Sequence, residues 1–183
     1  MATTTAKTVQ PGVQLGDTFV PHTELLGGVA RAARGLVNLG IGRNDSVALM
    51  LRNDVPFIQI TLAARHLGAY PVPLNWHLQA EELAYILQDS QAKALVVHED
   101  FLDKIRGALK PDMPVVIVPT PPVVSDAYGL SADRRHERPD SATEWADFLS
   151  GDPWDQPPAP ETASMIYTSG TTGRQKGVRR NPS

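Results

Sequence analysis

Cysteine is absent from the 183-residue chain, which excludes disulfide bridges and thiolate metal sites. Long apolar runs are absent as well: the stretch 55–67 is interrupted by Gln59, Arg65 and His66, whereas a membrane-spanning helix needs about 20 apolar residues. No long basic run occurs, and 17 Lys and Arg against 20 Asp and Glu leave a net charge of −3. We therefore expect a cytoplasmic protein with no transmembrane segment and no nucleic-acid partner.

The N-terminus lacks the basic start and the apolar core of a secretory signal. We expect residues 1–20 to be a mobile leader and residues 21–183 to form one partial domain. Within that domain, residues 119–160 carry eight prolines, so we expect an irregular excursion in which only 142–149 is helix-like. Its last part, 152–160, is interpreted as a solvent-exposed linker.

The remaining sequence alternates between two periodicities. Apolar residues at helical spacing predict helices from Thr23 to Gly40 and over 56–67, 80–89 and 101–109. Short apolar runs predict strands over 46–51, 70–74, 94–98 and 115–118. Continuous apolar strands joined through helices are typical of sheets covered on both faces. We therefore expect an α/β fold with a mostly parallel sheet, helices on both faces and right-handed crossovers.

One segment combines glycines, hydroxyls and a lysine directly after a predicted strand at 163–167. It reads Thr168-Ser169-Gly170-Thr171-Thr172-Gly173-Arg174-Gln175-Lys176-Gly177-Val178. The glycines allow backbone N–H groups to approach a ligand closely, the hydroxyls add hydrogen-bond donors, and Lys176 adds a positive charge. The segment therefore predicts a polyanion site, and a triphosphate is the expected ligand.

Two familiar nucleotide-binding loops do not fit this spacing. The Walker loop requires G-x-x-x-x-G-K-[ST], but here Lys176 follows Gln175 and precedes Gly177. The dinucleotide fingerprint requires G-x-G-x-x-G, but Gly170, Gly173 and Gly177 are separated by two and three residues. Neither of these two folds is supported.

The residues from Tyr167 to Gly173, followed by Lys176-Gly177-Val178, resemble the signature loop of the adenylate-forming superfamily, which includes acyl-CoA synthetases, luciferases and peptide-synthetase adenylation domains. The segments 67–75 and 81–87 also resemble that superfamily, in the right order. The chain departs from the pattern at Gln175, where proline is usual. Glutamine leaves the loop more flexible but removes no phosphate contact.

The resemblance implies an incomplete, N-terminal part of the superfamily's large domain. It implies attack of a carboxylate on the α-phosphate of ATP, release of pyrophosphate, and transfer of the acyl group to coenzyme A. Thr168 would approach Mg²⁺, and no catalytic residue is expected in this segment, so the chain alone should be inactive. The residues expected to bind the β- and γ-phosphates are Thr168, Ser169, Gly170, Thr171, Thr172, Gly173 and Lys176.

Several alternatives remain open. Residues 74–78 and 81–84 look most like the fatty-acid enzymes, so a fatty acid is the expected substrate, but aryl-acid ligases and peptide-synthetase adenylation domains are not excluded. A different class would be a naturally short, non-catalytic relative that binds a nucleotide or a partner protein. A sheet lacking its remaining strands would expose apolar surface, so a companion chain or a homodimer is a further expectation.

The other polar residues have structural interpretations. Glu81-Glu82 suits the first turn of a helix, and Arg179-Arg180 either adds potential near the phosphates or is a solvated pair. The histidines lack ligand-like spacing, so we expect no metal or catalytic role for His22, His66, His77, His98 and His136.

Overall fold

The computed structural model describes residues 10–130, 136–160, 162–168 and 175–179, and a five-stranded sheet lies at its centre. The strands are β1 (Gly12–Leu15), β2 (Thr18–Pro21), β3 (Ser46–Met50), β4 (Tyr70–Pro73), β5 (Ala92–His98), β6 (Val115–Val118), β7 (Ala142–Glu144), β8 (Met165–Thr168) and β9 (Lys176–Arg179). The helices are α1 (His22–Asn38), α2 (Val55–His66), α3 (Ala80–Asp89), α4 (Leu102–Ile105), α5 (Pro122–Tyr128) and α6 (Trp145–Phe148).

The central sheet has the strand order β4-β3-β5-β6-β7, and every neighbouring pair is parallel. The chain leaves β3 toward one side to form β4 and then crosses to the other side to form β5. The order therefore reverses between β3 and β5, which makes a crevice at their carboxyl ends. The predicted α/β fold with a parallel sheet is confirmed.

Both faces of this sheet are covered. Ala94 and Val96 of β5 point toward a core shared with α1, α2 and α6, whereas Leu95 and Val97 point toward a core shared with α3 and α4. Such continuous apolar strands are what a doubly covered parallel sheet requires. The second core also receives Met165 of β8, so the end of the chain packs on the α3 side.

Helix α3 begins at the predicted residue, and α2 begins one residue before its predicted start. The Asp54 carboxylate accepts a hydrogen bond from the Phe57 amide at 3.1 Å and so caps α2. In α3 the Glu82 carboxylate accepts the Gln79 amide at 2.9 Å. Glu81 and Glu82 both lie in the first turn of α3, where negative charge complements the helix dipole.

The prediction of one continuous helix over 101–109 is wrong. Two 3₁₀ turns, Glu99–Phe101 and Arg106–Ala108, flank the single turn of α4. Leu102, Ile105 and Ala108 are all buried. Their spacing of three residues suits a 3₁₀ geometry, in which side chains at i and i+3 eclipse one another.

Some regular structure lies where none was predicted. Strands β1 and β2 form an antiparallel hairpin, α5 lies within the proline-rich excursion, and β7 is the fifth strand of the sheet. The helix predicted over 142–149 is confirmed only from Trp145 onward, because residues 142–144 pair with β6 instead. The division into residues 1–20 and 21–183 stays a prediction, and residues 1–9 lie outside the described part.

The predicted linker is exposed along most of its length, but it is not free. Residues 152–160 and Thr162, here called the strap, run along α1 and α2. Amides of the strap donate to helix carbonyls, Trp154 to Ala30 at 2.9 Å and Ala159 to His66 at 2.8 Å. The Thr162 hydroxyl donates to the Ala69 carbonyl at 2.6 Å. The strap thus carries the chain from α6 to the β4 edge of the sheet.

A buried hydrogen-bond chain joins the carboxyl ends of β3 and β5. His98 is fully buried, and its Nδ1 accepts the Arg52 amide at 2.9 Å. The ring proton therefore lies on Nε2, which donates to the Asp54 carboxylate at 2.9 Å. Because Asp54 also caps α2, one histidine connects two strands and a helix.

The Arg52 side chain continues this chain of contacts. Its Nη2 donates to Asp100 at 2.6 Å, and the Thr120 hydroxyl donates to the other Asp100 oxygen at 2.8 Å. The guanidinium carbon lies 3.9 Å from the centroid of the Tyr128 ring and 4.6 Å from that of Phe101. Its Nε and Nη1 have no hydrogen-bond partner among the described residues, so the aromatic faces provide the remaining stabilisation of this cation.

Gly35 of α1 has no side chain, which allows Phe148 of α6 to approach the helix closely. A Cβ at Gly35 would lie 2.6 Å from Phe148 Cζ and 2.7 Å from the Phe148 carbonyl oxygen. We expect Gly35→Ala to lower the free energy of unfolding by about 1–3 kcal/mol despite the better helix propensity of alanine. Urea denaturation followed by circular dichroism measures this.

The matched control lies on the same helix. A Cβ at Gly27 would meet only Arg31 Nη1, at 3.7 Å, which is an ordinary contact. Gly27→Ala should therefore raise the free energy of unfolding by up to about 1 kcal/mol. Equal effects of the two variants would contradict the proposed close packing of α6 on Gly35.

His98 generates a second stability prediction. His98→Phe leaves the buried Asp54 carboxylate and the Arg52 amide without their partner, so we expect a loss of about 3–5 kcal/mol in the free energy of unfolding. His77→Phe is the control, because His77 is exposed and stacks on Trp76, a contact that phenylalanine can retain. That control should change stability by less than about 0.5 kcal/mol, and a small effect of His98→Phe would refute the buried link.

Candidate functional site

The predicted polyanion loop connects the two strands of a hairpin. Strands β8 and β9 are antiparallel, and their last pair toward the loop joins Thr168 to Lys176. Thr168 and Lys176 therefore stand opposite one another at the two ends of the loop. The other predicted phosphate-binding residues lie outside the described residues: Ser169, Gly170, Thr171, Thr172 and Gly173.

The two faces of the hairpin differ in character. Because side chains alternate along a strand, Ile166, Thr168, Lys176 and Val178 share the outward face. All four are exposed, and the apolar pair Ile166 and Val178 keeps 41% and 50% of its surface accessible. The outward face thus combines a hydroxyl, a cation and an apolar pair.

The inward face holds the hairpin against the domain. Met165 is buried on the α3 side of the sheet, and the Tyr167 hydroxyl donates to Asp89, the last residue of α3, at 2.6 Å. The Arg179 guanidinium lies 5.0 Å from the centroid of the Tyr70 ring in β4. Arg179 therefore contacts an aromatic face while its side chain stays exposed, and by strand alternation it does not share the outward face. Arg180 lies outside the described residues.

These positions limit the kind of phosphate site that the loop can form. The loop runs from one strand into another, so the N-terminus of a following helix, which both the Walker loop and the dinucleotide fingerprint use, is replaced by β9. If the predicted site exists, loop amides, hydroxyls and Lys176 would have to provide its contacts. The spacing argument against both loops agrees with this geometry.

The carboxyl-end crevice between β3 and β5 is the other candidate place for a ligand. It is already filled by the buried side chains of Arg52 and His98 and by the aromatic rings around Arg52. Two carboxylates, Asp54 and Asp100, outnumber the single guanidinium there. The residues in this crevice therefore stabilise the fold, and their excess of carboxylates disfavours an anion there.

The histidines lie in separate places. The His66 ring contacts the Gln156 carbonyl at 2.9 Å, His77 stacks on Trp76, and His136 Nδ1 lies 3.0 Å from Asp103. Across residues 10–130, 136–160, 162–168 and 175–179, no group of three His, Cys, Asp or Glu side chains converges as a metal site would. Among the same residues, no helix has the length and apolar character needed to cross a membrane.

Sequence reasoning did not identify Asp89 or Tyr70 as partners of the hairpin. Both are far from it along the chain: Asp89 and Tyr167 are separated by 78 residues. The only local signal is the acidic side chain of Asp89 at the last residue of α3, where the helix dipole disfavours negative charge.

Comparison with known proteins identifies the family of this chain and supports the fold. Residues 13–181 match the family model described as AMP-binding enzyme. The long-chain-fatty-acid–CoA ligase FadD13 of Mycobacterium tuberculosis is 32% identical over 173 residues, which are 93% of this chain and 30% of that protein. The 3-hydroxybenzoate–CoA ligase of Aromatoleum is 31% identical over 176 residues, which are 92% of this chain and 30% of that protein.

Solved structures show the same architecture. The anthranilate–CoA ligase AuaEII in complex with anthranoyl-AMP superposes with a TM-score of 0.73 at 23% identity, covering 91% of this chain and 30% of that one. A fatty acyl-CoA synthetase of Mycobacterium tuberculosis gives a TM-score of 0.59 at 27% identity, covering 90% and 30%. The chain thus spans about 30% of the length of these relatives. On the match over residues 13–181, the chain belongs to the AMP-binding enzyme family.

Proposed function

We propose that this chain is the N-terminal part of an ATP-dependent acyl-CoA synthetase and that its hairpin loop binds the β- and γ-phosphates of ATP. The observation that carries the proposal is the facing pair of Thr168 and Lys176 at the two ends of the loop, on an exposed face of a hairpin fixed to the domain. Membership in the AMP-binding enzyme family and two CoA-ligase relatives support it.

The proposed reaction begins when a carboxylate oxygen of the substrate attacks the α-phosphorus of ATP. The bond between the α-phosphorus and the bridging oxygen breaks, giving acyl-adenylate and pyrophosphate. Negative charge develops on the leaving pyrophosphate, so a cation and hydroxyl donors placed there stabilise the transition state. Lys176 would supply the charge and Thr168 a hydroxyl, with Ser169, Thr171, Thr172 and the glycine amides completing the site.

Two further groups are part of this proposal. Mg²⁺ prefers oxygen ligands and commonly binds through one or two carboxylates plus substrate phosphates. The exposed Thr168 hydroxyl would add one oxygen ligand beside those phosphates. Coenzyme A would accept the acyl group through its thiol, releasing AMP. We propose that parts of the protein beyond this chain provide most of its binding site.

A carboxylic acid is the proposed substrate, and we favour a fatty acid. The segments 74–78 and 81–84 and the relationship to a long-chain-fatty-acid–CoA ligase support that choice. An aryl acid is the alternative, because a 3-hydroxybenzoate–CoA ligase is almost as similar. A companion chain or a second copy covering the exposed pair Ile166 and Val178, and a short non-catalytic relative, remain further proposals.

Lys176 provides the direct test of the phosphate loop. Titration of the chain with inorganic tripolyphosphate, followed by NMR shifts of the Thr168 and Lys176 amides, should show saturable binding. Lys176→Gln removes one positive charge from the loop and should weaken that binding by about fivefold.

The matched control for this test is Arg31→Gln, which removes one positive charge from an exposed position of α1 on the opposite face of the sheet. This variant should bind tripolyphosphate as the unaltered chain does. Equal weakening by both variants would indicate a general charge effect and would count against the loop as the site.

The chain alone is expected to release no pyrophosphate from ATP in the presence of hexadecanoate or benzoate. The reason is that the resemblance places the groups that contact adenine, ribose and the acyl chain outside these 183 residues. A coupled pyrophosphate assay, with a full-length fatty-acid–CoA ligase as positive control, measures this. Release above the ATP-only background would contradict the expectation.

A further inference from the structure

The hairpin that presents the loop is too small to hold its own orientation. It consists of four residue pairs, and an isolated two-stranded hairpin is at best marginally stable in water. Contacts of its inward face with the domain must therefore set the direction in which Thr168 and Lys176 point.

Among the described residues, a short polar contact of that face joins Tyr167 to Asp89. The Tyr167 hydroxyl donates to Asp89 Oδ2 at 2.6 Å, and the Tyr85 hydroxyl is 3.5 Å from Asp89 Oδ1. Asp89 lies at the C-terminal end of α3, where unpaired carbonyl groups make a carboxylate unfavourable. Hydroxyl donors offset that repulsion, and the closer donor comes from the hairpin.

Gly177 makes room for this contact from the opposite strand. It pairs directly with Tyr167, and a Cβ at Gly177 would lie 2.7 Å from Tyr167 Cζ and 2.8 Å from its hydroxyl oxygen. The same Cβ would lie 2.7 Å from Met165 Cε. The tyrosine ring therefore crosses β9 at the one position that has no side chain, and this directs its hydroxyl to α3.

The raised pKa of Tyr167 keeps its hydroxyl protonated as a hydrogen-bond donor to Asp89. Burial raises the pKa of Tyr167 above its ordinary value, and the hydrogen bond to the Asp89 carboxylate raises it further. The hydroxyl thus keeps its proton at pH values where an ordinary tyrosine ionises. Stability contributed by this group is fully present below the ordinary tyrosine pKa and is lost as the pH rises above it.

We propose that Tyr167 and Asp89 are a positioning pair that fixes the direction of β8 and thereby places Thr168 for phosphate binding. Thr168 is the next residue after Tyr167, so a rotation of the strand at Tyr167 moves the Thr168 hydroxyl and the start of the loop. The inference rests on the proposed function of the loop. It assigns no contact between either residue and the nucleotide.

A double-mutant cycle tests this coupling. Tyr167→Phe, Asp89→Ala and the double variant are titrated with inorganic tripolyphosphate by NMR, as for Lys176→Gln. Each single variant should weaken binding by about threefold or more, and the double variant should be no weaker than either single one, because both remove the same contact. Additive effects, or no effect of Tyr167→Phe, would overturn the positioning role.

Tyr85→Phe separates positioning from general stability. It removes the other hydroxyl near the same carboxylate but belongs to α3 and not to the hairpin. It should leave tripolyphosphate affinity unchanged even where its loss in urea stability equals that of Tyr167→Phe. A matching loss of affinity in Tyr85→Phe would show that stability alone is being measured.

Amide hydrogen exchange provides a readout that needs no ligand. In Tyr167→Phe, the amides of β8 and β9 should exchange about tenfold faster while those of β3 and β5 do not change. Unchanged exchange in the hairpin would show that the Tyr167–Asp89 contact does not stabilise it. If exchange is faster but the unaltered chain does not bind tripolyphosphate, the Tyr167–Asp89 contact does stabilise the hairpin. The positioning role and the proposed function would then both be rejected.

If Lys176→Gln weakens tripolyphosphate binding and Tyr167→Phe does not, only the positioning inference fails. The proposed phosphate loop then stands without it. The two hypotheses are therefore distinguished within one set of variants.

Discussion

Burial of β3 on both faces is the constraint on which the rest of the structure depends. Its five residues are all inaccessible, with Val47 and Leu49 facing one core and Ala48 and Met50 facing the other. A strand buried in this way needs a partner strand at each edge and helices above and below. Strands β4 and β5 provide the edges, and the reversal of strand order between β3 and β5 follows from those two pairings.

Local sequence patterns were sufficient to predict the strands and helices that pack around β3. The apolar runs of β3, β5 and β6 and the helical periodicity of α1 to α3 are strong, and the structure places them within a few residues of the predicted bounds. Strand β7 was missed because three half-buried residues, one of them Glu144, carry no strand pattern of their own. They become a strand only by pairing with β6, a contact that local periodicity cannot report.

The candidate site divides in the same way. The loop motif predicted Thr168 and Lys176 as site residues, and the strand register places these two residues opposite one another. The contacts that orient the hairpin were invisible to the motif. The hairpin meets Asp89 and Tyr70 only because the chain returns from β7, at the far edge of the sheet, to the β4 edge. No spacing rule along the sequence therefore connects those residues with Tyr167 or Arg179.

The strap has a mechanical consequence. It is tied to the Ala30 carbonyl in α1, to the His66 carbonyl in α2 and to the Ala69 carbonyl before β4, so it is attached to the domain at three points. The segment that leads to β8 is therefore held against two helices as well as against the edge of the sheet. The approach to β8 is therefore constrained by those three hydrogen bonds in addition to the strand pairing within the hairpin.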